Sequence, residues 1–130
     1  MEECPSFKSW IKLASNSNSQ ELVKPLIRQL VETLTFLHGL DIYHRDIKVF
    51  NLLVEEKPNE YVLKLIDFGV AALSNEPIKD SLSSEGYTSP EQLALILHTP
   101  LETEVWQLGV FLYIVTYDEF PFGGRFSVTK

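Results

Sequence analysis

His44-Arg45-Asp46-Ile47-Lys48-Val49-Phe50-Asn51, with Asp67-Phe68-Gly69 following it, is the stretch on which the reading of this chain turns. It sets a carboxylate, an ammonium two residues on and an amide five residues on, in a segment between a helix and a pair of strands. The helix comes first. Val23, Ile27, Leu30, Leu34 and Leu37 recur at alternating spacings of four and three, which is one face of an amphipathic helix. The polar run Ser15-Asn16-Ser17-Asn18-Ser19 predicts its start near residue 18, with Ser17 and Gln20 at capping-box spacing, and Gly39 predicts its stop. Pro25 conflicts with this, since an interior proline costs about 3 kcal/mol unless the helix starts or kinks there. Beyond the central stretch, Leu52-Leu53-Val54 and Val62-Leu63-Lys64-Leu65-Ile66 flank turn chemistry at Pro58-Asn59 and predict an antiparallel hairpin. From Val105 to Val115 nearly every residue is apolar, and Gly109 would permit a close approach. That run is far short of the roughly 20 residues of a bilayer span, so it predicts a helix apolar all round, the buried axis of a domain.

Composition narrows the class. The chain has 130 residues, 45% of them apolar, which suits one hydrophobic core and no second domain. Its formal charge of −7, without a long basic run, disfavours nucleic acid or an anionic membrane as partner. Such a chain would meet phosphates through a few placed cations or metals. Cys4 is the sole cysteine, which excludes an intramolecular disulfide and a cysteine zinc site. The opening Met1-Glu2-Glu3-Cys4-Pro5 is acidic where a secretory signal is basic and then apolar. The expectation is an unsecreted, soluble protein of the cytoplasm or nucleus.

Transfer of a γ-phosphoryl group asks for little covalent help and much positioning. A site needs one group to accept the nucleophile's proton, hard oxygen ligands for magnesium, and a cation at the moving phosphate. Asp46 suits the base, Asn51 and Asp67 the ligands, and Lys48 the cation. Gly69 would supply backbone angles denied to other residues after Asp67.

The order of these motifs resembles that of eukaryotic protein kinases of the serine/threonine type. His44 to Asn51 resembles the family's catalytic loop and Asp67-Phe68-Gly69 its magnesium-binding turn. Ser89-Pro90-Glu91 resembles the close of the activation segment, Glu104-Val105-Trp106-Gln107-Leu108-Gly109 the opening of the long central helix, and Pro121-Phe122 the turn after it. The resemblance implies an α+β, mainly helical architecture. Residues 1–130 would form part of a kinase C-terminal lobe, whose small hairpin carries the catalytic and magnesium loops. It implies ATP and Mg2+ as cofactors and a protein hydroxyl as substrate. It further implies that Met1 to Cys4 is the interlobe linker, with the backbone of Glu2 and Cys4 at adenine, and that Leu53 is the pocket floor. Arg45 would receive a phosphate from the activation segment, with Ser74, Ser81, Ser83 and Ser84 as candidates.

The sequence also departs from the family. It contains no Gly-x-Gly-x-x-Gly loop and no strand lysine for the α/β-phosphates, so the upper lobe is missing and the isolated chain is expected to be essentially inactive. Glu91 lacks its later arginine, and part of the apolar helix is expected to be uncovered. Glu104 replaces an Asp, which predicts looser anchoring of the catalytic loop; Ser83-Ser84 replace Gly-Thr, with Ser84 keeping a hydroxyl for Asp46; Val49-Phe50 replace Pro-Glu. Taken singly, His-Arg-Asp is more often a capped loop and Asp-Phe-Gly a tight turn; it is their ordered occurrence that favours the kinase reading. His44 is read as structural, His38 as packing or capping the first helix, and His98 as part of a polar connector. Phe7, Trp10 and Ile11 are read as a short packing helix. The competing reading is a truncated, non-catalytic kinase-like module acting through a protein partner that covers the missing lobe.

Overall fold

In the computed structural model, residue 7 and residues 19–124 are described. Glu2, Cys4, Trp10, Ile11 and Ser17 lie outside them. The described elements are helix α1 (Ser19–Gly39), strands β1 (Leu52–Lys57) and β2 (Glu60–Leu65), helix α2 (Pro90–Leu93) and helix α3 (Pro100–Tyr117). Single 3-10 turns span Val49–Asn51 and Pro121–Gly124. The architecture is thus mainly helical with one two-stranded antiparallel sheet. Among the described residues, no helix is long and apolar enough to cross a membrane. The chain forms two compact units. One takes the described residues of Met1–Leu40 and Val49–Asp67, the other those of Asp41–Lys48 and Phe68–Lys130.

In the first unit, α1 buries Val23, Leu26, Leu30 and Leu34. The predicted stripe holds at Val23, Leu30 and Leu34, but Leu26 takes the place assigned to Ile27, because spacings of three, four and four follow the 3.6-residue turn more closely. Pro25 sits inside the helix on its exposed side. The opposite side carries the helix through it, each buried aliphatic contributing about 1.5–3 kcal/mol. Gly39 is still helical. The chain breaks two residues later, at Asp41, whose φ of 57° is left-handed, a conformation Asp tolerates.

The hairpin forms as the sequence predicts, with Pro58-Asn59 as a two-residue connection and Leu52 paired with Leu65. Leu52 and Val54 point into the core with Phe7, while Glu55 on the other face meets Lys64 at 2.8 Å. That hydrogen bond lowers the Glu55 carboxyl below its ordinary value, against a smaller opposing effect of burial. Gln29 fastens helix to sheet. Its Nε2 donates to the Tyr61 carbonyl (2.9 Å) and its Oε1 accepts the Leu63 amide (2.8 Å), so one side chain pairs the outer edge of β2 as a neighbouring strand would.

In the second unit, α2 is started by a reciprocal box between Ser89 and Gln92, and α3 by Thr99 with Pro100 in its first turn. Here the sequence expectation needs correction. Helix α3 begins at Pro100, not Val105, and it is not buried all round. Its inner face holds Thr103, Glu104, Gln107, Val110 and Phe111, whereas Val105 is 58% exposed. Gly109 has no neighbour within 4 Å of where a Cβ would lie, so nothing approaches it closely. The outer face, with Leu101, Val105, Tyr113 and Phe122, lines an open apolar groove of about 900 Å³, as the uncovered-helix expectation required. His98 is likewise no connector residue: it is buried, and its backbone pairs with Ile78 as an isolated antiparallel bridge. Gly86 is a position where glycine is obligatory, since φ is 87° and a Cβ would collide with the Phe120 ring.

Replacing Gln29 by Leu removes both polar atoms while keeping bulk, and leaves the Leu63 amide without its partner. The expected cost is about 1–3 kcal/mol. Chemical denaturation measures it, and faster amide exchange in β2 locates it.

Candidate active site

The loop from His44 to Lys48 has no secondary structure of its own, so its backbone groups need partners from elsewhere. One face of α3 supplies them. Glu104 Oε1 accepts the amides of His44 (2.7 Å) and Arg45 (3.2 Å). One turn on, Gln107 accepts the Ile47 amide through Oε1 (3.1 Å) and donates through Nε2 to the Arg45 carbonyl (2.6 Å). All of these groups are buried. The three-residue spacing puts both side chains on the same face, which explains why polar residues interrupt an apolar helix. Glu104 does not loosen the loop, as its extra methylene had suggested, because a single oxygen reaches both amides. Arg45 is held at φ 69°, a costly left-handed conformation for a long side chain that persists only where its surroundings over-determine it.

Within this loop, His44 accepts the Asp46 amide on Nδ1 (3.1 Å) and packs edge-on against Phe68, with ring centroids 4.7 Å apart. It is fully buried, as expected of a structural histidine. Tyr43 joins Ala72 as an isolated bridge. Burial pushes the Tyr43 phenol above its ordinary value, and the Asp41 carboxylate adds to this.

The fixed backbone presents a polar triangle. Asp46 Oδ1 accepts a hydrogen bond from the Ser84 hydroxyl (2.8 Å), Ser84 Oγ accepts one from Lys48 Nζ (2.7 Å), and Nζ lies 3.8 Å from Asp46 Oδ2. Ser84 therefore does meet Asp46. Carboxylate and ammonium are both partly buried, with side-chain exposures of 16% and 24%, so each remains reachable. The arrangement offers a proton acceptor beside a cation, which suits an attacking hydroxyl next to an anionic group. The two terminal nitrogens of Arg45 lie 3.0 Å from Asp80 Oδ2.

The remaining candidates belong to the other unit. Asn51 is buried, and its carbonyl accepts the Ile66 amide (2.9 Å), continuing the register one pair beyond Leu52 and Leu65. Asp67 comes next in the chain, exposed, so Asn51 and Asp67 occupy one end of the hairpin. The positive φ of this turn, 63°, falls on Asp67 itself and not on Gly69, contrary to the role expected of the glycine. Leu53, half-buried, pairs with Lys64. Among the described residues, no three His, Cys, Asp or Glu side chains gather as a metal cage. One amide and one carboxylate at a hairpin end fit magnesium, which keeps waters and phosphate oxygens as its other ligands.

Residues 1–129 match the family model described as protein kinase domain. The chain belongs to the protein kinase domain family. It is 33% identical over 119 residues to the CBL-interacting serine/threonine-protein kinase 12 of Arabidopsis thaliana, covering 88% of this chain and 24% of that protein. Similarity to CBL-interacting protein kinase 15 of Oryza sativa is 32% over 119 residues, covering 87% and 27%. The hormonally up-regulated neu tumor-associated kinase of Homo sapiens is 33% identical over 128 residues, covering 94% and 17%. The chain thus spans about a quarter or less of these relatives.

Within the kinase framework, three contributors escaped the sequence reading. Gln107 was read as part of a motif with no role of its own, and Asp80 and Thr99 not at all; only Thr99 had a local signal, a threonine followed by proline ahead of an apolar run. Gln107→Ala leaves the Ile47 amide and Arg45 carbonyl buried without partners. An expected loss of about 2–4 kcal/mol in stability, read by chemical denaturation, checks the anchoring.

Proposed function

We propose that this chain carries part of the catalytic machinery of a protein serine/threonine kinase, which moves the γ-phosphoryl group of ATP to a protein hydroxyl. The observation that carries the reading is the Asp46, Lys48 and Ser84 triangle on a loop whose backbone is bonded to Glu104 and Gln107. Asp46 takes the proton of the substrate hydroxyl as its oxygen attacks phosphorus and ADP leaves, while Lys48 holds the phosphoryl oxygens. Asn51 and Asp67 hold Mg2+, whose contribution is to neutralise charge on the phosphates. In the same reading Leu53 floors the nucleotide pocket. Convergence of Asp46 and Lys48 with Asn51 and Asp67 on one phosphate is part of the proposal, as is a cytoplasmic or nuclear setting. The 130 residues alone, lacking a glycine-rich loop, are expected to be essentially inactive.

One observation favours the second reading, a kinase-like module that works by binding a partner and not by catalysis: the apolar groove along α3. Phosphotransfer decides between them. In a complete domain containing this chain, Asp46→Asn is expected to cut peptide phosphorylation by about 10²–10⁴-fold while Mg2+ and ATP still bind, as loss of a general base does. Unchanged turnover in that variant overturns the catalytic reading, and absence of turnover in the native complete domain favours the second.

A further inference from the structure

Arg45 is 5% exposed, and a buried guanidinium requires an anion beside it. That anion is already present in the chain. Both terminal nitrogens of Arg45 lie 3.0 Å from Asp80 Oδ2. The second carboxylate oxygen accepts Gln92 Nε2 (3.3 Å) and the Leu82 amide (3.3 Å), and His98 Nε2 stands 4.0 Å away. Gln92 Nε2 also donates to the Leu82 carbonyl (3.1 Å), and the backbone of Ile78 pairs with that of His98. The segment from Ile78 to Leu82 is therefore fastened at every second residue, to the catalytic loop, to α2 or to the backbone of His98. Two residues further on, Ser84 reaches Asp46 and Lys48.

We propose that Asp80 is the positioning residue of this segment: its carboxylate clamps Ile78 to Ser84 onto Arg45, so that Ser84 meets Asp46 and Lys48 without any phosphoryl group on the segment's serines. The proposal deepens the kinase reading and rests on it for the importance of Ser84. A phosphoryl group on Ser74 or Ser81 would find the guanidinium already neutralised, and could reach it only by displacing a carboxylate held by Arg45, Gln92 and the Leu82 amide. Asp80 touches no reacting atom. It acts through Arg45 on one side and the course of the backbone to Ser84 on the other.

Hydrogen exchange read by mass spectrometry tests the clamp on protein treated with phosphatase until no phosphate mass remains. The expected result is slow exchange across 78–84 in the unmodified chain. Asp80→Asn, equal in size but uncharged, is expected to speed exchange there about tenfold or more, with β1 and β2 unchanged. Asp80→Glu should restore most of the protection, which rescue by bulk alone would not do. The double variant Ser74→Ala, Ser81→Ala should behave as the native chain. Fast exchange of 78–84 in the dephosphorylated native protein, slowed only by phosphorylation, overturns the proposal; so does unaltered protection in Asp80→Asn. Should Asp80→Asn unfold the whole chain, the native and double-alanine measurements still decide. Exchange is read without nucleotide, so its outcome is independent of whether the chain transfers phosphate.

Discussion

A buried carboxylate on α3 sets the terms for everything near Asp46. Glu104 must satisfy two amides, those of His44 and Arg45, from one oxygen, and it does so only if the loop turns back on itself with Arg45 left-handed. The strain of that residue and the desolvation of the Glu104 charge are each unfavourable alone. Together they are mutually satisfied: the loop donates what the carboxylate needs, and Gln107 closes the remaining amide and carbonyl. The result is a polar core under the loop from His44 to Lys48, where ordinary packing would put leucines.

That polar core explains why the second unit is held differently from the first. The first relies on an apolar stripe of α1 against a two-stranded sheet, with Gln29 as a long-range polar tie. The second stacks three polar ties in sequence: α3 to the loop, the loop's Arg45 to Asp80, and Asp80 to Gln92 on α2. Directional bonds specify position more tightly than apolar contact does, and side chains that act on a phosphate need placement finer than packing alone delivers.

Local chemistry was legible in the sequence, and long-range chemistry was not. The hairpin and its Pro58-Asn59 connection followed from β-prone runs and turn residues, and the α1 stripe from periodicity, with an error of one position at Leu26. Asp46 and Lys48, two residues apart in the sequence, do come together, 3.8 Å apart with Ser84 between them. Helix α3 was misread because eleven nearly apolar residues look uniformly buried, when the buried side is chosen by Glu104 and Gln107, whose partners lie some sixty residues away. Asp80 carried no local signal for the same reason, its partner Arg45 being thirty-five residues distant. The left-handed residue of the Asp67-Phe68-Gly69 turn was assigned to the glycine on propensity; the backbone places it on the aspartate.

The proposed function requires that two groups of side chains, Asp46 with Lys48 and Asn51 with Asp67, serve one metal-bound phosphate, which is a proposal about the complete domain. Paramagnetic broadening by Mn2+ bound with ATP, in a complete domain containing this chain, addresses it most directly. The account predicts that the amide resonances of Asp46, Lys48 and Asp67 broaden together, and that Asp67→Ala abolishes the broadening at all three. Broadening confined to the Asp67 turn, with Asp46 and Lys48 untouched, would contradict it.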